Sequence, residues 1–216
     1  MTARSLAAPT QDVKVWPLAI ERKGGIRAAA AALCFVVGVL AASVAVAAAS
    51  EGPKHCSDVK ACQERVPLPG GHFMPVYANG PLAKGASWAT RALIVIHGNS
   101  RNADNYFQYG VSAAKKAGEH LSTLVLAPHF TITEDAAQRA ENQLYWTRSA
   151  GWKRGDRSSS KSRPRIGAFA FIDLIFELLG NRQRFANLNR VVLAGHSAGG
   201  QFVQRYAAGH PDDAIP

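Results

Sequence analysis

The stretch RVVLAGHSAGGQFVQRYA, residues 190 to 207, constrains this chain more than any other. Its first half is a short apolar run with β-branched residues, which reads as a strand buried on both faces, and its second half carries helical spacing. Only His196 and Ser197 separate the two. So abrupt a reversal needs residues without bulk where strand and helix approach each other, and Gly195, Gly199 and Gly200 stand at those places. In a strand–turn–helix unit of this kind the serine is held in a strained backbone conformation, with its Oγ exposed at the carboxyl edge of a sheet. GHSAG in this setting therefore points to a nucleophile at Ser197. The alternative is a Gly-rich turn with an inert serine, because the bare pentapeptide is a weak signal.

The rest of the chain supplies the sheet that such a turn requires. FMPVYA (73–78), RALIVIHG (91–98) and STLVLAPHF (122–130) are further strand-like runs, the last two apolar enough to be covered on both faces. Helical periodicity lies between them, over 103–120 and again over 166–180. The second helix places Phe169, Ile172, Phe176 and Leu179 on one face and has Gly180 as its C-cap. Alternating strands and helices predict an α/β fold, a mainly parallel sheet with helices on both faces. The segment 131–165 fits this scheme least well: a short helix over 134–144 is followed by YWTRSAGWKRGDRSSSKS, too long for a plain connection. Tyr145, Trp146 and Trp152 either pin that segment to the core or line a substrate cleft.

Residues 1–49 stand apart from this domain. Arg22, Lys23 and Arg27 precede an unbroken run of small and apolar residues over 28–49, with AVA at 45–47 and AAA at 47–49. A basic region, an apolar region and small residues at a cleavage position make a secretory signal peptide, cut after Ala47 or Ala49. The alternative is an uncleaved membrane anchor, since about 20 apolar residues suffice to cross a bilayer. Cys34 would leave with the signal. Cys56 and Cys62, in CSDVKAC, remain as an even pair, and a disulfide between them suits an exported protein. A metal site is not expected, because the paired CxxC form is lacking. Residues 50–70 read as a lead-in to the domain.

The formal net charge of +10 could suggest a nucleic-acid partner, but its distribution argues against one. Residues 1–49 hold five basic and two acidic residues. Between Arg148 and Arg165 lie seven more basic residues against Asp156 alone, so the remainder of the chain is nearly neutral. A basic, Ser-rich loop such as RGDRSSSKSRPR (154–165) is ordinarily a solvated segment; the functional alternative is adhesion to an anionic surface or polymer.

Acyl transfer needs two backbone N–H groups aimed at the developing oxyanion. The residue after the nucleophile, Ala198, supplies one. The second comes from the loop after an early core strand, here IVIHGNSRN (94–102), with Asn99 as first candidate and Ser100 close behind. His97 and Gly98 open that loop, and the expected role of His97 is to fix it by hydrogen bonds.

Together, PVYANGPL, RALIVIHGNSRNADNYF, APHF, LYWTRSAGWKRGD and GHSAGGQFVQRYA resemble the α/β-hydrolase family, and more narrowly exported hydrolases distantly similar to polyhydroxyalkanoate depolymerases and related esterases. The resemblance covers about 73–210. It implies that 71–216 is the N-terminal part of such a domain, incomplete at its C-terminus, and that the chain is a serine hydrolase acting on small-molecule or polymeric carboxylic esters. It implies no cofactor and no nucleic-acid partner, and a membrane only if the N-terminal segment stays attached. In that family the acid and the histidine follow the nucleophile, whereas 19 residues follow Ser197 here. His210 and Asp212 sit at the far end of the elbow helix, roughly 20 Å away at about 1.5 Å per residue. His129, His120 and His196 break the family's chain order, and His129 is the best placed of them. The triad's acid and histidine are therefore expected outside this chain. A truncated, non-catalytic product or interaction protein is the rival reading.

Overall fold

A computed structural model describes residues 52–54, 58–159 and 165–209. Residues 1–51, with Cys34 and the export segment, lie outside the described residues, as do Cys56, His210 and Asp212. Among the described residues no helix is long and apolar enough to cross a membrane.

Among the described residues five strands form one sheet in the order β1-β2-β4-β3-β5. They are β1 (Gln63–Leu68), β2 (His72–Ala78), β3 (Arg91–Ile96), β4 (Thr123–Pro128) and β5 (Arg190–Gly195). The helices are α1 (Ala103–Lys116), the single turn α2 (Ser149–Trp152), α3 (Ala168–Gly180) and α4 (Ala198–Gly209). The sheet is mixed: β3 pairs parallel with both β4 and β5, while β2 pairs antiparallel with β1 and β4. Since β3, β4 and β5 run in one direction, the loops that follow them gather at one carboxyl edge. β1 falls within the stretch read as a lead-in, yet it is fully paired with β2, Glu64 opposite Val76 and Val66 opposite Met74.

Each strand's pattern assigns it a place. In β3, Ala92, Ile94 and Ile96 are buried in the larger core under α3 and α4, while Val95 faces α1. Helix α1 approaches the sheet at Gly110, where a Cβ would sit 2.7 Å from Val125 and 3.1 Å from Val95, so a larger residue would force the helix outward. On the opposite face, Ala168, Phe171, Ile172, Ile175, Phe176 and Leu179 form the buried stripe of α3, at the i, i+3, i+4 spacing of a core-facing helix. Phe169, expected on that stripe, is partly buried instead, edge-on to Phe202 at 5.0 Å. Burying a ring as completely as that of Phe202 contributes about 2–3 kcal/mol.

Three expectations need correction. β5 is not covered on both faces: among the described residues it is the edge strand, and Val192 is 44% exposed. The helix expected over 134–144 is a short 3-10 turn, Thr133–Gln138, because Asp135 bends out of helical geometry and folds its carboxylate back onto the Ile132 N–H at 2.9 Å. Gly180 is the last residue of α3, and the cap is Asn181. Of the two readings open for Trp146 and Trp152, pinning fits both: they are 1% and 0% exposed and pack around Phe130 in the core.

Candidate active site

Two residues, His196 and Ser197, carry the chain from β5 into α4. Ser197 has φ +57° and an exposed side chain. A left-handed conformation costs a non-glycine residue about 1–2 kcal/mol, so the turn holds the serine there against its preference. The Gly199 N–H donates to the His196 carbonyl at 2.9 Å and the Gln201 N–H to the Ser197 carbonyl at 3.0 Å, which locks the turn and begins the helix. A Cβ on Gly199 would strike the Ile96 carbonyl and lie 2.7 Å from the His97 carbonyl; one on Gly195 would strike the Gly199 backbone. The turn thus crosses directly over the end of β3, and glycine at both positions is a steric requirement. Ala198, almost fully buried, opens α4, where first-turn N–H groups have no acceptor one turn earlier.

The loop after β3 meets the elbow at this crossing. His97 is fully buried; its Nε2 accepts the Phe130 N–H at 3.0 Å, which leaves Nδ1 to donate to the Gly98 carbonyl at 2.9 Å. Burial above all, with the positive charge of neighbouring His129 and Arg101, pushes its pKa down to about 3 against the opposing effect of the Gly98 bond. A neutral, doubly bonded ring stacked edge-on against Trp152 at 4.7 Å ties β3 to β4 and is no proton carrier. Gly98 lies beside the elbow: a Cβ there would be 2.7 Å from the Tyr106 hydroxyl, and that hydroxyl is 3.2 Å from His196 Nδ1.

Asn99 is exposed, and its backbone and side chain are both engaged. Its carbonyl accepts from Arg101 Nη1 at 2.7 Å and its Oδ1 from Lys153 Nζ at 3.3 Å. Arg101, itself at φ +57°, forms a two-point pair with Asp135 at 2.7 and 3.0 Å. Burial raises the Asp135 pKa, but the bonds from Arg101 and Ile132 outweigh it and hold the carboxyl below its usual range. Arg101 and Asp135 therefore brace the Asn99 turn, and Tyr106 braces the elbow. Arg101 and Tyr106 lie within the stretch RALIVIHGNSRNADNYF (91–107), but the sequence signals a role for none of the three, since their partners are distant in the chain.

The other histidines are placed as follows. His129 is partly buried behind the loop; burial lowers its pKa, and it lies edge-on to His97 at 6.0 Å. His120 precedes β4 and so sits at the opposite edge of the sheet from Ser197. His196 is held by Tyr106. Among the described residues no side chain is hydrogen-bonded to Ser197 Oγ, and no group of three or more His, Cys, Asp or Glu is arranged to hold a metal. Cys62 is buried and disulfide-bonded, while Cys56, its expected partner, is outside the described residues.

Comparison with known proteins gives no match to a protein-family profile or to a curated protein sequence. Three solved structures are similar in part. The poly(3-hydroxybutyrate) depolymerase LpqC of Bordetella parapertussis has 22% identity and a TM-score of 0.49 over 71% of this chain and 49% of that one. Poly(aspartic acid) hydrolase-1 of Sphingomonas sp. KT-1 has 27% identity and a TM-score of 0.46 over 67% and 50%. The siderophore hydrolase EstB of Aspergillus nidulans has 13% identity and a TM-score of 0.34 over 69% and 52%. The chain thus spans about half the length of each.

Proposed function

We propose that the protein is a serine hydrolase that cleaves carboxylic esters through an acyl-enzyme on Ser197. The observation that carries this is the backbone of Ser197: an exposed, non-glycine residue at φ +57° between a strand and a helix, with glycines required on both sides. An inert turn has no reason to keep a serine where glycine would relieve about 1–2 kcal/mol of strain. Oγ attacks the acyl carbon as its proton passes to a base. The Ala198 N–H and the Asn99 N–H receive the charge that develops on the carbonyl oxygen. The alcohol leaves with the base's proton, and water then cleaves the acyl-enzyme and regenerates the serine. The base and its supporting acid belong, in this reading, to residues outside those described.

Turnover of 4-nitrophenyl butyrate by the complete protein tests the proposal: a release burst proportional to enzyme is expected, and it disappears in Ser197→Ala. An equal burst from the variant contradicts it. The rival reading of a non-catalytic interaction protein is favoured by one observation, that Ser197 Oγ has no histidine partner among the described residues, and it predicts no burst from either protein. Export belongs to the same proposal and draws support from the disulfide at Cys62, which an oxidising compartment sustains. Mature protein whose N-terminus is Ala48 or Ser50 is the expected result; an intact Met1 in membranes contradicts cleavage.

A further inference from the structure

An open cavity of about 350 Å³ lies in the long segment between β4 and α3, lined by Trp146, Arg148, Arg154, Asp156, Arg157 and Arg165. Among the described residues, four guanidiniums against one carboxylate give its wall a formal charge of +3. We propose that this cavity is a subsite for a carboxylate on the substrate, so that the esters preferred at Ser197 are anionic ones; this rests on the reading of Ser197 as the nucleophile.

The wall's charge is largely unspent. Asp156 pairs with Arg154 at 3.5 Å, and Arg165 makes one long bond to the Ser158 carbonyl at 3.4 Å. Among the described residues neither Arg148 nor Arg157 has an ion pair. Four like charges converging on one concave surface repel each other, which a merely solvated loop avoids by spreading them. The floor is rigid: the buried Trp146 indole N–H donates to the Asp156 carbonyl at 2.7 Å.

The cavity also sits on the reacting side of the sheet. Trp146 bridges to Ile132, just beyond the carboxyl end of β4, the edge at which Ser197 emerges. Lys153, within the same segment, reaches Asn99 Oδ1 at 3.3 Å, and Arg205 of α4 donates to the Lys153 carbonyl at 3.0 Å. The cavity segment is therefore tied both to the proposed oxyanion loop and to the nucleophile's helix. Planar guanidinium forks match a carboxylate in two-point contacts. A phosphate is the competing oxyanion, but among the described residues no Gly-rich phosphate loop lines the cavity, α2 beside it is a single turn, and Asp156 in the wall favours a singly charged group.

The test compares glutarate with its uncharged diamide, glutaramide, as stabilisers of the complete protein in thermal melts, and 4-nitrophenyl hydrogen glutarate with 4-nitrophenyl valerate as substrates. Glutarate is expected to raise Tm where glutaramide does not, in wild type and in Ser197→Ala alike, and raised salt is expected to erase the shift. The Arg154→Gln/Arg157→Gln double variant is expected to lose the shift and at least tenfold in kcat/KM toward the anionic ester while valerate turnover is unchanged. Arg148→Gln is expected to lose about half of the shift and serves if the double variant fails to fold. Equal Tm shifts in wild type and variants overturn the inference, and a larger shift from inorganic phosphate than from glutarate overturns the carboxylate assignment. If neither ester is turned over, the nucleophile reading fails, and the glutarate shift still decides the cavity.

Discussion

Replacing His97 with Gln separates its two contributions, structural bonding and resistance to protonation. In the unfolded chain a histidine binds its proton near pH 6.5, whereas the buried ring of His97 does so only near 3. The folded state therefore binds fewer protons over that interval. The stability from the neutral ring is complete above pH 6.5 and is lost as pH falls toward 3. At about 1.36 kcal/mol per pH unit, the full effect is about 5 kcal/mol, about half of which disappears between pH 7 and pH 4.5. The variant lacks this titration but loses bonds to Phe130 and Gly98, a cost of about 1–3 kcal/mol at pH 7. Urea unfolding at pH 7.0, 5.5 and 4.5 is the assay. Wild type is expected to be more stable at pH 7, and the gap is expected to close by about 2–3 kcal/mol at pH 4.5. A gap that stays constant with pH refutes the assignment of a buried, neutral His97. His129 is shifted in the same direction and is common to both proteins, so it cancels in the comparison.

Ser197→Gly relieves the left-handed backbone and is expected to raise stability by about 1 kcal/mol while removing activity, measured by urea midpoint and ester turnover; a loss of stability contradicts the strain. Gly199→Ala drives a methyl into the Ile96 carbonyl and is expected to cost about 3 kcal/mol or more, whereas Gly209→Ala, which meets open space, changes the thermal midpoint little. Asp135→Asn leaves Arg101 without its charged partner; turnover is expected to fall about tenfold at a stability cost of about 1–2 kcal/mol, and an unchanged kcat removes Arg101 and Asp135 from the positioning of Asn99.

The strands that form the covered centre of the sheet were legible because their runs are continuously apolar, and the elbow was legible because steric demand at a strand–turn–helix reversal leaves a local signature in glycine. β1 was not: QERVPL mixes charge and proline with its two buried residues, Val66 and Leu68, as an edge strand with one face to solvent allows. The exposure of β5 was equally hidden, since RVVLAG has the composition of a covered strand and only the order of the sheet leaves it at the edge. The supports of the site are invisible to local reading for a different reason. Arg101 and Asp135 are 34 residues apart and Tyr106 and His196 are 90 apart, so nothing in either neighbourhood signals the other. The arginines between 148 and 165 read as a solvated run, because their convergence on one cavity depends on Trp146 and Trp152 anchoring the segment.

The central claim is that Ser197 is a covalent nucleophile, and active-site labelling tests it most directly. The complete protein is treated with a fluorophosphonate, digested, and the modified peptide located by mass spectrometry. The account predicts one stoichiometric adduct on Ser197, within the peptide that joins β5 to α4, and none in Ser197→Ala. An adduct on another serine, or equal labelling of the variant, contradicts it.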